Sequence, residues 1–264
     1  MTIPLDFLLD MWDVFLLIFL RITGLFVVSP IFGRQNLPAY YKIGFSFILA
    51  IILSYTVSVP SLGLYASVLA YILLLVKEFI IGLVLGYISY LILTSIYLAG
   101  QMIDLHIGFG MVSVFDPEAK VQLPVTANFY FILTMLVFLA IDGHHLLIYT
   151  LTESFTTLPI GSKLVIGQPI MNFVLDLFGS VFTISFKIAA PVTAAVLIAD
   201  IALGVIAKAV PPVNVFIVGM PLKILLGLGI ILLTLTAFRN IVHVLMGGMQ
   251  QEMMSFMEIL RGEG

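Results

Sequence analysis

The chain has 264 residues, of which 62% are hydrophobic and only 9% charged. Soluble domains carry about 25% charged residues, so this sequence cannot cover a water-exposed surface, and its mean hydropathy of +1.23 excludes a disordered protein as well. A net charge of −3, 11 scattered basic residues and no cysteine leave no nucleic-acid face, no disulfide and no thiolate metal site.

What remains is an all-α, polytopic integral membrane protein with about six broken or hairpin-forming apolar helices, read as a single membrane domain over 1–264. The N-terminus opens with Asp6, Asp10 and Asp13 rather than with positive charge. This predicts a retained first span whose acidic leader is non-cytoplasmic. That span covers 11–28, contains Arg21 and stops at Ser29-Pro30. A polar connection with Gly33, Arg34, Gln35, Asn36, Pro38 and Lys42 leads to a second span over 43–59. A third apolar stretch runs over 64–103, interrupted only by Lys77-Glu78. It is roughly twice the length a bilayer needs, so it is one long helix or two that meet at the charge pair.

Residues 104–120 are the most polar internal stretch, with Asp104, His106, Asp116, Glu118 and Lys120. A fourth span covers 121–141, then a loop-like Asp142-Gly143-His144-His145 and a helix to about Phe155. Residues 156–168 read as a connector. A fifth span covers 170–190 and continues through Pro191 toward Ala207. Pro211-Pro212, Asn214, Gly219 and Pro221 predict a break before the last span, 222–238. From Met246 the tail is amphipathic and methionine-rich.

Six ionisable groups fall inside these spans: Arg21, Lys77, Glu78, Asp176, Lys187 and Asp200. Each costs about 2.5–3.5 kcal/mol at membrane depth. They must face protein or water. Asp176 and Lys187 share a helix face but lie about 16 Å apart along it, so each needs a partner elsewhere. Asp200, Gly204 and Lys208 form a polar stripe. The groups are spread singly and mixed in sign. That pattern favours inter-subunit salt bridges over a proton or ion path, where carboxylates concentrate at the midplane. Glu78, Gly82 and Gly86 share one face, and the Gly82-to-Gly86 spacing lets helices approach closely, within or between chains. His144 and His145 are adjacent, diverge by 100° on a helix and are not expected to share a metal. No HExxH, GxSxG or phosphate loop is present, and no enzyme, cofactor or metal is expected.

The run Gly108-Phe109-Gly110-Met111-Val112-Ser113-Val114-Phe115-Asp116 is the sharpest local feature. Two glycines free the backbone, and methionine and phenylalanine give soft apolar bulk. Such a segment inside a ring of helices would be a deformable plug that excludes water by dewetting. A buried loop packed for stability is the alternative.

Ala99-Gly100-Gln101 leading to Gly108-Phe109-Gly110 and Asp116-Pro117 resembles the flagellar biosynthetic FliR family, which includes the T subunit of virulence type III secretion systems. Collinear agreement extends through Arg21 to Pro30, Pro38 to Gly44, Gly82 and Gly86, Asp142-Gly143-His144, Leu158-Pro159-Ile160-Gly161-Ser162, Pro191 to Gly204 and Pro211 to Pro221. The resemblance implies a subunit of the flagellar type III protein export gate in the inner membrane, at the basal body. It implies assembly with FliP-like and FliQ-like subunits in a helical cone, an FlhB-like switch protein at the cytoplasmic mouth, and unfolded export substrates in the pore. It also implies a cytoplasmic C-terminus and places the family's plug loop on Gly108 to Asp116. A virulence export gate is the alternative within the family, and a small-solute secondary transporter the alternative from another class.

Overall fold

The computed structural model describes residues 5–30, 32–33, 38–57, 67–109, 124–210 and 214–262. Among them are seven helices and no strand: α1 Leu5–Val28, α2 Ala39–Ser54, α3 Val68–Ile107, α4 Val125–Ala140, α5 Gly143–Thr157, α6 Gln168–Ala209 and α7 Val215–Arg261. Three are long and apolar enough to cross a membrane: Val68–Ile107, Gln168–Ala209 and Ile217–Arg261. A fourth crossing results if α4 and α5 count as one broken span. The protein is thus an all-α, multi-pass membrane protein, as its composition requires.

The chain divides into two compact units. One comprises residues 1–91, 142–175 and 246–264, and the other residues 92–141 and 176–245. In the first unit α1 packs on α2 through an aromatic seam. Phe15 and Phe19 meet the Phe47 ring at 5.2 and 6.2 Å, and buried Phe26 meets Phe45 at 5.3 Å. Helix α2 starts directly after Pro38, whose φ of −57° suits a helix entry. Its first turns therefore take in Tyr40, Tyr41 and Lys42, which the sequence placed in the connection. It ends at Ser54, short of the expected 59, because three turn bonds close over residues 55–57.

Helix α3 is one continuous helix of 40 residues, about 60 Å long, so the Lys77-Glu78 pair does not break it. Helix α6 likewise passes through Pro191. The structure corrects the expected break at Gly219 and Pro221. The interruption ends at Asn214, and both residues lie inside α7. Proline inside a spanning helix is tolerated where neighbours satisfy the freed carbonyl. Gly219 has a packing reason: an added Cβ there would sit 3.0 Å from Leu203 Cδ1. The methionine-rich tail is also no separate element, since α7 runs unbroken to Arg261. Met249, Met253 and Met257 are fully buried. Phe256 meets Phe173 at 5.6 Å with the rings tilted by 40°, and the Leu260 carbonyl accepts the Val165 amide at 2.9 Å. These contacts make the tail a core strip of the first unit, where unbranched methionines fill irregular space.

In the second unit the start of α4 is capped from a distance. Buried Asp104 on α3 accepts the amides of Thr126 at 2.9 and 3.1 Å and Ala127 at 3.3 Å. Helix starts leave amides unpaired and carry partial positive charge, so a carboxylate here serves on both counts. The approach is close because Gly100 has no side chain: a Cβ there would stand 2.6 Å from the Ala127 nitrogen. Asp104→Ala is expected to strand two buried amides at a cost of about 1–3 kcal/mol. Hydrogen exchange of the Thr126 and Ala127 amides should then quicken by about tenfold or more, while exchange in α5 stays unchanged.

Candidate functional site: a buried cation–carboxylate latch

The densest polar feature in the first unit is centred on Arg21, which is completely buried. Its Nε donates to Glu78 Oε2 at 2.7 Å, and its Nη2 forms an ion pair with the same oxygen. Nη1 donates to the Ser154 carbonyl at 2.8 Å, the Leu158 carbonyl at 3.0 Å and the Ser154 hydroxyl at 3.3 Å. The Phe155 ring lies 4.4 Å from Cζ, so the guanidinium is also stacked on an aromatic face. One side chain on α1 thereby joins α3 to the C-terminal end of α5. The planar fork of arginine suits this, because lysine could not reach a carboxylate and two carbonyls in fixed directions.

Backbone contact brings Arg21 to Glu78. A Cβ at Gly82 would collide with the Arg21 carbonyl oxygen. One at Gly86 would lie 2.6 Å from the Leu25 carbonyl, and one at Gly24 would lie 2.8 Å from the Leu83 nitrogen. The Gly82-to-Gly86 pair is therefore an intrachain seam between α3 and α1. It sets Glu78 one turn from the point of closest approach.

The same cluster holds the loop after α5. Ser162 donates its amide to the Pro159 carbonyl at 3.1 Å, with Gly161 at φ +84°. That is a turn needing glycine at its third position. Arg21 binds the Leu158 carbonyl before the turn, and Lys77 Nζ donates to the Ser162 carbonyl, after it, at 2.6 Å. Two cations flanking Glu78 thus staple Leu158-Pro159-Ile160-Gly161-Ser162. Glu78 Oε1 is buried with no hydrogen bond among the described residues.

The remaining charges divide differently. Asp200 pairs with Lys223 across the 210–214 interruption rather than with Lys208, a partner the sequence reading missed. Pro211-Pro212 and Asn214 signal a helix break in the sequence, but nothing local pairs residues on either side of it. Asp176 and Lys187 are exposed on α6 and make no ion pair among the described residues. Gly108 closes α3 with φ +97°, its amide on the Asp104 carbonyl at 3.1 Å, and Phe109 follows. Gly110, Met111, Val112, Ser113, Val114, Phe115 and Asp116 lie outside the described residues. A final correction concerns His144 and His145. Gly143 already begins α5, and the two rings lie 4.1 Å apart, tilted by 38°, instead of diverging. In a first turn no preceding turn restricts χ1, so adjacent side chains can converge.

These features define a multi-pass α-helical membrane protein whose in-membrane charges are neutralised by its own chain in some places and left facing outward in others. Residues 12–249 match the model of the bacterial export proteins, family 1, and the chain belongs to that family. It is similar to the flagellar biosynthetic protein FliR of Bacillus subtilis, at 37% identity over 82% of this chain and 84% of the relative. It is also similar to those of Aquifex aeolicus, at 32% over 83% and 84%, and Escherichia coli, at 28% over 80% of each. All four stretches of the latch (Arg21, Glu78 to Gly86, Ser154 and Leu158 to Ser162) fall inside the matched range.

Breaking a buried pair strands a charge, so Arg21→Ala or Glu78→Ala alone should each cost about 3–5 kcal/mol. Replacing both by methionine is expected to cost less than either single change. Thermal unfolding of the detergent-extracted protein measures this, and additive losses would contradict a coupled latch.

Proposed function

We propose that the chain is a core subunit of the flagellar protein export apparatus in the bacterial inner membrane, where it helps form and plug the pore for unfolded flagellar proteins. The observation that carries the reading is the family match together with three relatives that bear the name of a flagellar biosynthetic protein. Its role is structural rather than enzymatic, and 1–264 acts as one export-gate domain.

The outward charges support an assembly. Asp176 and Lys187 are exposed on a helix that also exposes Leu175, Phe178, Phe182 and Phe186. Lipid would charge about 2.5–3.5 kcal/mol for each ion. Neighbouring subunits with polar groups at matching height remove that cost. FliP-like and FliQ-like subunits and an FlhB-like switch protein are the partners this reading requires. It requires a detergent-extracted particle several times the chain's 29.0 kDa. Mass measurement tests this, and an active lone chain that carries a small solute into liposomes would establish the transporter alternative instead.

The plug is the segment from Gly108 to Asp116. Gly108 ends α3 in a conformation that any L side chain adopts under strain, which directs the chain out of the helix just before Phe109. Soft apolar bulk beyond that hinge would seal against ions and still yield to a passing chain. Deleting Gly110 through Phe115 is expected to let ions leak through the assembled complex. Unchanged membrane conductance, with assembly intact, would remove the plug from the reading.

A further inference from the structure

The turn before α5 gathers three groups that neither the latch nor the export reading uses. Asp142 occupies the cap position of α5 with φ +58° and ψ +29°, the left-handed region, where it is the one non-glycine residue among the described residues. Aspartate at a helix cap normally accepts an amide of the first turn. Here its side chain makes no such bond. Its Oδ1 lies instead 3.6 Å from His145 Nδ1, too far for a hydrogen bond. The His144 and His145 ring centroids lie 4.1 Å apart with the planes tilted by 38°. His144 Nδ1 is buried and makes no hydrogen bond among the described residues. One ligand atom from each of Asp142, His144 and His145 lies within 4.8 Å of the other two.

We infer that Asp142, His144 and His145 form a binding site for a single divalent transition-metal ion, of which Zn2+ is the best match. Two ligands of one tetrahedral zinc, each bound at about 2.0–2.1 Å, stand about 3.4 Å apart. The 3.6 Å between the Asp142 carboxylate and the His145 ring nitrogen meets that spacing. The third donor is a His144 ring nitrogen, which lies within 4.8 Å of the other two ligand atoms. Two imidazoles and one carboxylate select Zn2+ and its neighbours over Mg2+ and Ca2+, which prefer oxygen. The helix start disfavours a cation, and the Asp142 charge offsets this. The left-handed backbone at Asp142 has a reason in this reading: it turns the carboxylate from the amides of the first turn toward the imidazoles. The fourth position stays open to water or to a donor from another chain.

The test uses the tag-free full chain in its detergent-extracted assembly. Co2+ should give the intense visible absorption of a tetrahedral site, Zn2+ should abolish it at one equivalent per chain, and excess Mg2+ should not. His145→Ala and Asp142→Asn are the variants. His145 is 70% exposed and Asp142 72%, and asparagine also tolerates the left-handed region, so both fold. Each should weaken Zn2+ binding by at least about 100-fold. Absence of the Co2+ absorption in the wild type overturns the site, as does wild-type affinity in both variants. Neither result bears on the export role, which the particle mass and the conductance address separately.

Discussion

A buried guanidinium cannot be left unpaired, and the first unit is organised around that constraint. Desolvating Arg21 is tolerable only because a carboxylate, two carbonyls, a hydroxyl and an aromatic face surround it. The carboxylate lies 57 residues away and the other partners cluster at residues 154–158, up to 137 residues away. The requirement therefore dictates where α3, the end of α5 and the following turn must lie. It also accounts for the glycines. Gly24, Gly82 and Gly86 allow backbone contact between α1 and α3, and without that contact Nε would not reach Glu78. Burying this pair contributes little stability over a well-packed apolar pair. What it contributes is a single permitted arrangement, since any slip of one helix against the other strands both charges.

The second unit meets the same problem with weaker means. Asp104 is placed at the start of another helix, where amides and the helix dipole replace a cation. Asp200 pairs with Lys223, and both remain partly exposed. The graded burial of these three acids follows from the quality of their partners. The most buried acid has the strongest cation, and the most exposed has a flexible one.

Helix identity was largely legible in the sequence, and helix ends less so. Ser29-Pro30 ended α1 as expected, because proline disfavours helix in the residue before it. Pro221 and Gly219 misled, because both residues are tolerated inside a membrane helix, and Gly219 there leaves room for Leu203. Lys77-Glu78 left one helix or two open; α3 runs through them unbroken, and their charges meet partners on α1 and in the 158–162 turn. The shared face of Glu78, Gly82 and Gly86 could be read from spacing alone. That its partner is Arg21 could not, since nothing local relates positions 57 residues apart. The adjacent histidines depart in the opposite sense: their rings converge because ideal helical directions do not bind side chains in a first turn.

Composition and spacing by themselves determined that the protein is helical, lies in a membrane, and carries in-membrane charges that need partners. The cost of unpaired backbone in lipid admits only helices or a closed barrel, and uninterrupted apolar runs of about 20 residues select helices. Its family could be read from collinear motifs as well, because short local patterns survive in the order of the chain. Tertiary structure alone decided which charge meets which. Arg21 turns inward to Glu78 while Asp176 and Lys187 turn outward. The reason is that ion pairing depends on distance in space, and folding joins residues whose separation along the chain carries no record of it.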